Sequence, residues 1–184
     1  MGYESMRYAT GSQNIAIGTQ TMRFTKGSNN VAIGYKAMFD AAGNNEGDYN
    51  TAIGDSSLYQ LVGGDYNVVL GASALAQTNY STSTTAVGYL AGYGTAGNYT
   101  NNSLFGYKTG YALTTGSNNL LMGYQVGDAL TTGSNNIVIG YNIDATSTNS
   151  VGGLNIGALI FGTGLDGSGT GISTGSIGIG TTTP

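Results

Sequence analysis

The sequence predicts an all-β protein built as a parallel β-solenoid, a β-roll with coils of about 17 residues, and three observations carry that expectation. The phrase GSNNVAIGY at residues 27–35 returns as GSNNLLMGY at 116–124 and as GSNNIVIGY at 133–141. The final Gly of the phrase, or its equivalent, falls at Gly2, Gly18, Gly34, Gly54, Gly71, Gly88, Gly106, Gly123, Gly140 and Gly157, at intervals of 16, 16, 20, 17, 17, 18, 17, 17 and 17 residues. A period in this range marks a repeat architecture, in which each unit buries its apolar face on the next. Gly, Asn, Ser and Thr dominate every unit while apolar residues alternate over short runs, which suits strands and turns rather than helices.

Composition narrows the function classes. The 184 residues include 33 Gly and 1 Pro, only 8 % are charged, and there is no Cys, His or Trp. Without Cys there is no disulfide, thiolate chemistry or Cys-based zinc site, and without His the commonest general base and metal ligand is missing. No cofactor is implied. The net charge is −4 with five Lys and Arg in total, too few for a phosphate-neutralising surface, so no nucleic-acid partner is expected. No apolar run approaches the roughly 20 residues of a membrane span, and the opening MGYESMRYAT lacks the regions of a signal peptide, so no membrane insertion is expected.

Each part of the unit has its own reason. From Gly27, Gly47, Gly64, Gly116 and Gly133 to the marker Gly the spacing is always seven residues, while the other segment absorbs the length changes, most visibly in FDAAGNNEGD at residues 39–48. The constant half opens with a turn, because Gly and Asn accept left-handed backbone conformations. Asn14, Asn30, Asn50, Asn67, Asn119 and Asn136 then recur just before the strand, placed to form a ladder of side-chain amides bonded to one another and to the turn backbone. A strand of about five residues follows. Its last residue (Ile17, Ile33, Ile53, Leu70, Val87, Phe105, Met122, Ile139) is always large and apolar and is expected inside the coil. Ile15, Val31, Thr51, Val68, Thr85, Ser103, Leu120 and Ile137 share that face. Past the marker Gly, a further inward residue is Met6, Met22, Met38, Leu58 or Leu75; from Gly88 onward it becomes Gly92, Gly110 and Gly127, with Leu113 and Leu130 three places later. Two repeat subtypes therefore meet near Gly88.

By alternation the middle strand residue should point out of the coil. It is Ala16, Ala32, Ala52, Val69, Ala86, Leu104, Leu121 or Val138, apolar every time in a chain rich in Asn, Ser and Thr. An outward apolar stripe needs cover, and copies of it around an axis parallel to the solenoid would supply that as an oligomer interface.

At this point the residues carry a resemblance. NNVAIG at 29–34 and SQNIAIG at 12–18 resemble the head repeats of trimeric autotransporter adhesins and similar repeats in phage tail fibres. GSIGIGTTTP at 175–184 resembles the segment that often precedes an endosialidase-type intramolecular chaperone. The resemblance implies a left-handed β-roll of three parallel chains, hence a homotrimer, and a structural and adhesive segment of an extracellular fibre, on a virion or a cell surface. Attachment to a cell-surface glycan or protein receptor would then be its task, with no enzymatic role. Adhesin-head repeats are generally shorter than seventeen residues, so a wider coil is expected here. Residues 1–150 form the repeat domain in this reading, and 151–184, which lose the period, form a Gly-rich neck or connector. The chain starts within a repeat, as a segment of a longer fibre would.

Two residue sets are candidates for function. Tyr35, Tyr89, Tyr107, Tyr124 and Tyr141 each follow a marker Gly and are placed to grip a sugar ring or partner surface, or to pack between coils. Asp48 and Asp65 hold the same position in consecutive coils, about 4.8 Å apart along the stack. That spacing would suit a cation or the carboxylate pair of a tailspike-like glycan-degrading enzyme, the alternative function. Because Ser28, Ser117 and Ser134 stand at the same position, a turn cap is the simpler role.

Overall fold

The computed structural model describes residues 2–40, 42–94, 97–164 and 175–180. Eleven strands form one sheet in chain order: β1 (Ile15–Ile17), β2 (Val31–Ile33), β3 (Thr51–Ile53), β4 (Val68–Leu70), β5 (Thr85–Val87), β6 (Ser103–Phe105), β7 (Leu120–Tyr124), β8 (Ile137–Tyr141), β9 (Leu154–Ile156), β10 (Ile160–Thr163) and β11 (Ser176–Ile179). Strands β1 to β9 pair in parallel with repeat equivalents opposite each other, as Ala32 faces Ala52 and Gly123 faces Gly140. The chain is thus an all-β parallel solenoid of about eight turns, with no helix among the described residues. At about 4.8 Å per turn the stack rises about 38 Å. Strands β7 and β8 have the five residues expected, while β1 to β6 and β9 are shorter, spanning three.

Parallel pairing runs on through β9, after which β10 lies antiparallel to β9 and β11 antiparallel to β10. The pairing therefore changes sense after Ile156, six residues beyond the expected boundary at 150. Much of the expected neck, residues 165–174 and 181–184, lies outside the described residues.

The marker Gly is required by the approach of one coil to the next. These glycines have φ between +133° and +143° from Gly18 to Gly123, a region closed to residues with a Cβ. A Cβ on Gly106 would sit 1.9 Å from the carbonyl oxygen of Gly123 in the following coil. The corners beyond it are left-handed at two further positions, such as Lys36 (φ +52°) and Met38 (φ +51°).

The structure inverts the expected strand polarity. The middle residues Ala32, Ala52, Val69, Ala86, Leu104, Leu121 and Val138 are fully buried within the single chain and Ala16 is 6 % exposed, so this stripe lines the lumen and cannot face a partner. Ile17, Leu70 and Met122, expected inside, are about half exposed, at 52 %, 48 % and 42 %. Period-two alternation correctly separates the two sets, but residue size does not tell which of them lines the lumen. In a lumen this narrow, a strand centre facing Met22 or Met38 across the coil has room only for a small residue.

Above the strands the asparagine ladder forms as the spacing indicates. The Asn50 side-chain oxygen accepts from the Asn67 backbone N–H at 2.9 Å and from the Asn67 side-chain amide at 2.8 Å. Asn119 and Asn136 repeat the pattern, and each side-chain amide also donates to a turn carbonyl, as Asn119 does to Gly133 at 2.9 Å. Buried polar groups are thereby satisfied from coil to coil.

Candidate functional site

Four of the five candidate tyrosines form one stack. The rings of Tyr89, Tyr107, Tyr124 and Tyr141 lie with centroids 5.0 to 5.5 Å apart and planes within 25°. Stacked this way, the rings cover one another's faces and present edges to solvent, so their geometry serves packing along the rank. Tyr35 stands in the same rank but apart, because Asp55 and Ala72 occupy the two intervening positions. The Lys36 ammonium lies 5.1 Å from its ring centre.

A second aromatic rank escaped the sequence reading. Five residues past the marker Gly stand Phe39, Tyr59, Ala76, Tyr93 and Tyr111. Phe39 stacks on Tyr59 at 5.3 Å, and Tyr93 on Tyr111 at 5.3 Å. Reading the chain at this offset from the marker would have found it. Lysines sit between the two ranks: Lys108 lies 5.6 Å from Tyr107 and 5.5 Å from Tyr111, and Lys36 lies 5.5 Å from Phe39 and 6.0 Å from Tyr59. Both ranks are interrupted in the coil that begins at Gly71, where Ala72 and Ala76 stand. A groove of about 340 Å³ opens there, between Tyr59 and Tyr93.

Asp48 and Asp65 act as turn caps. Asp48 Oδ1 accepts from the Ser28 backbone N–H at 2.6 Å, and Asp65 Oδ1 accepts from the Asp48 backbone N–H at 2.8 Å. Ser134 Oγ does the same for the Ser117 N–H at 3.0 Å. Among the described residues no cluster of three or more acidic side chains is arranged to hold a metal ion.

No family model, curated protein or solved structure matches this chain.

The remaining surface feature is the strand face itself. Ile15, Ile17, Val68, Leu70, Met122 and Ile137 are exposed on it, in two ranks parallel to the solenoid axis, one apolar throughout and the other interrupted by Thr51, Thr85 and Ser103. At the C-terminal end a larger hollow of about 520 Å³ is bounded by Ile143, Asp144, Asn155 and Phe161; burial raises the Asp144 carboxyl from its ordinary value.

Proposed function

We propose that this chain is a structural and adhesive segment of a trimeric extracellular fibre. The observation that supports this reading is the exposed apolar strand face, which flanks the buried Ala and Leu centres along the stack. Soluble proteins rarely leave an apolar rank of this length, here Ile17 through Leu70 to Met122, uncovered. A second and third copy related by an axis parallel to the solenoid would present the same stripe to one another and close the interface. The interface expected at the strand centres moves accordingly to the flanking ranks. Threefold symmetry and the attachment role rest on the repeat resemblance of residues 12–18 and 29–34.

Light scattering after size exclusion tests the reading. The wild-type chain should elute with three times the 18.6 kDa protomer mass. Val68→Lys together with Leu70→Lys would bury like charges around the axis and should give monomers with unchanged β-signal in circular dichroism. A monomeric wild type refutes the trimer, and a double variant as stably trimeric as wild type refutes the stripe. Release of oligosaccharides from a host glycan by the wild-type protein would favour the enzymatic alternative.

A further inference from the structure

The two aromatic ranks lose a rung in the same coil, and the result has the form of a binding site. In the second rank the ring sequence runs Phe39, Tyr59, then Ala76, then Tyr93, Tyr111. Tyr59 has one face covered by Phe39, and Tyr93 has one face covered by Tyr111. Their other faces turn toward the gap at Ala76. Backbone hydrogen bonds place the three coils in succession, from Gln60 N–H to Ala76 O and from Gln77 N–H to Tyr93 O, both near 3 Å. Two coil rises therefore separate the rings, about 9.6 Å, which leaves room for one six-membered ring between them. The groove of about 340 Å³ occupies this gap, with the buried Ala76 beneath it.

Its polar lining is arranged around the same gap. Gln77 Nε2 donates to the Tyr93 hydroxyl at 2.5 Å, which fixes both side chains at the rim. Gln60, Ser56 and Ser73 bring further donors and acceptors, and Lys36 supplies the one charge of the lining. Aromatic faces with amide and hydroxyl groups at their edges match the chemistry of a pyranose, whose axial C–H groups pack on rings while its hydroxyls hydrogen-bond around the perimeter.

We propose that the missing rung at Ala76 is a glycan subsite, in which one pyranose ring of a surface polysaccharide is held between Tyr59 and Tyr93. The site deepens the adhesive reading by naming its ligand class, yet it is built by one chain and uses no residue of the proposed trimer interface. A single subsite of this size binds weakly, and repetition over three chains would raise avidity.

Saturation-transfer NMR tests it, with irradiation of the tyrosine ring protons and D-glucose, D-galactose, N-acetyl-D-glucosamine and D-glucuronate as probes. At least one of these should receive saturation from the wild-type protein. Ala76→Tyr completes the ladder and should reduce that saturation to background while leaving the circular dichroism spectrum and melting temperature intact. Tyr93→Ala, which removes one wall without filling the groove, should do the same should Ala76→Tyr fail to fold. Tyr124→Ala, outside the groove, should leave the saturation unchanged. Absence of saturation for all four sugars overturns the proposal, as does saturation that persists in Ala76→Tyr or Tyr93→Ala. Saturation of phenol with none for the sugars also overturns it, since the gap would then accept flat aromatics alone. Light scattering on the same wild-type sample separates the two readings: sugar saturation in a wild-type chain that is monomeric keeps this site and removes the trimer, and a trimeric wild type that gives saturation for none of the four sugars keeps the trimer and removes this site.

Discussion

In the N-terminal part of the solenoid the strand centre is Ala16, Ala32 or Ala52 and the residue four past the marker Gly is Met22, Met38 or Leu58, whereas near the C-terminal end the centre is Leu104 or Leu121 and the corner is Gly110 or Gly127. All the apolar residues in both sets are buried in the same continuous core. A Cβ on Gly110 would approach Leu113, Leu104 and Leu121 at 2.9, 3.2 and 3.3 Å, so the leucines occupy the space that Met or Leu fills in earlier coils. What the coils hold constant is the filled volume of the lumen; which side of the coil fills it is free to change. The backbone cost differs between the two solutions. Met22, Met38, Leu58 and Leu75 adopt φ near +50°, which costs a residue with a Cβ about 1 kcal/mol, while Gly92, Gly110 and Gly127 take φ near +60° without that cost.

The largest effect should come from what the two regions share. Gly106→Ala places a methyl group 1.9 Å from a backbone oxygen of the next coil, at φ +137°. Neither a rotamer nor a flexible neighbour relieves that contact. The variant should fail to fold or lose at least about 4 kcal/mol, beyond the usual range for single substitutions. Gly34→Ala, in the other region, meets the Gly54 carbonyl oxygen at 2.4 Å and should fail alike. A urea titration showing near-wild-type stability for either would mean that the coils can separate locally.

Swapping the two packing solutions tests the volume argument directly. Leu121→Ala should cost about 2–5 kcal/mol, as deletion of a fully buried Leu does. Gly127→Met alone should cost about 2 kcal/mol or more, because its Cβ would lie 2.8 and 3.2 Å from the two methyl groups of Leu121 and its backbone is left-handed. Together they rewrite this coil in the N-terminal style. The double variant should be at least about 1 kcal/mol more stable than the sum of the singles predicts. Strict additivity in the denaturation midpoints would break the comparison.

The period, parallel stacking, the asparagine ladder and the meeting of two subtypes near Gly88 were legible in the sequence, because each depends on spacing alone. The direction of the strand face was not. Alternation says that Ala32 and Ile33 point opposite ways but not which way is inward, and the size of Ile33 argued for the wrong side. Only the opposing corner, with Met22 and Met38 already in the lumen, decides it. The second aromatic rank, Phe39, Tyr59, Tyr93 and Tyr111, was missed because Arg7, Arg23, Ala76 and Asp128 stand at the same offset in other coils and break its pattern. Asp48 and Asp65 were legible as turn caps because Ser134 performs the same task at the same offset.

A smaller loss is expected from the ladder common to both regions. Asn50→Ala removes the acceptor for two Asn67 donors and the donor for the Gly64 carbonyl, all in the interior. Leaving such groups without partners costs roughly 1–3 kcal/mol. Asn119→Ala should match it within about 0.5 kcal/mol if the ladder is the same device in both regions, since its oxygen accepts from Asn136 at 3.0 Å in the same way. A thermal melt that separates the two variants widely would show that the ladder's contribution depends on how the lumen is filled.

The smallest effect concerns the seam between the regions. In the coil of Gly88 the strand centre is Ala86 and the corner is Gly92, so both fillers are small at once. Tyr99 makes up the deficit: it is fully buried, its hydroxyl donates to the Gly92 carbonyl, and a Cβ on Gly92 would meet Leu75, Leu104 and that hydroxyl. Burial holds the Tyr99 phenol well above the usual tyrosine range. A raised acid pKa favours the neutral form in the folded state, so the contribution is complete below the unfolded pKa of about 10 and is lost as pH climbs above it. Stability should then fall about tenfold in the folding constant per pH unit on account of this one group. Tyr99→Phe keeps the ring in the gap and removes the hydroxyl, at a cost of about 1 kcal/mol at neutral pH. It also removes the group that must ionise, while the other tyrosines remain in both chains. The two stability curves should therefore converge above about pH 10 and cross near about pH 11. Urea unfolding from pH 7 to 11.5 measures both. Parallel curves would mean that Tyr99 reaches solvent and that the seam is filled by something other than a dry aromatic plug.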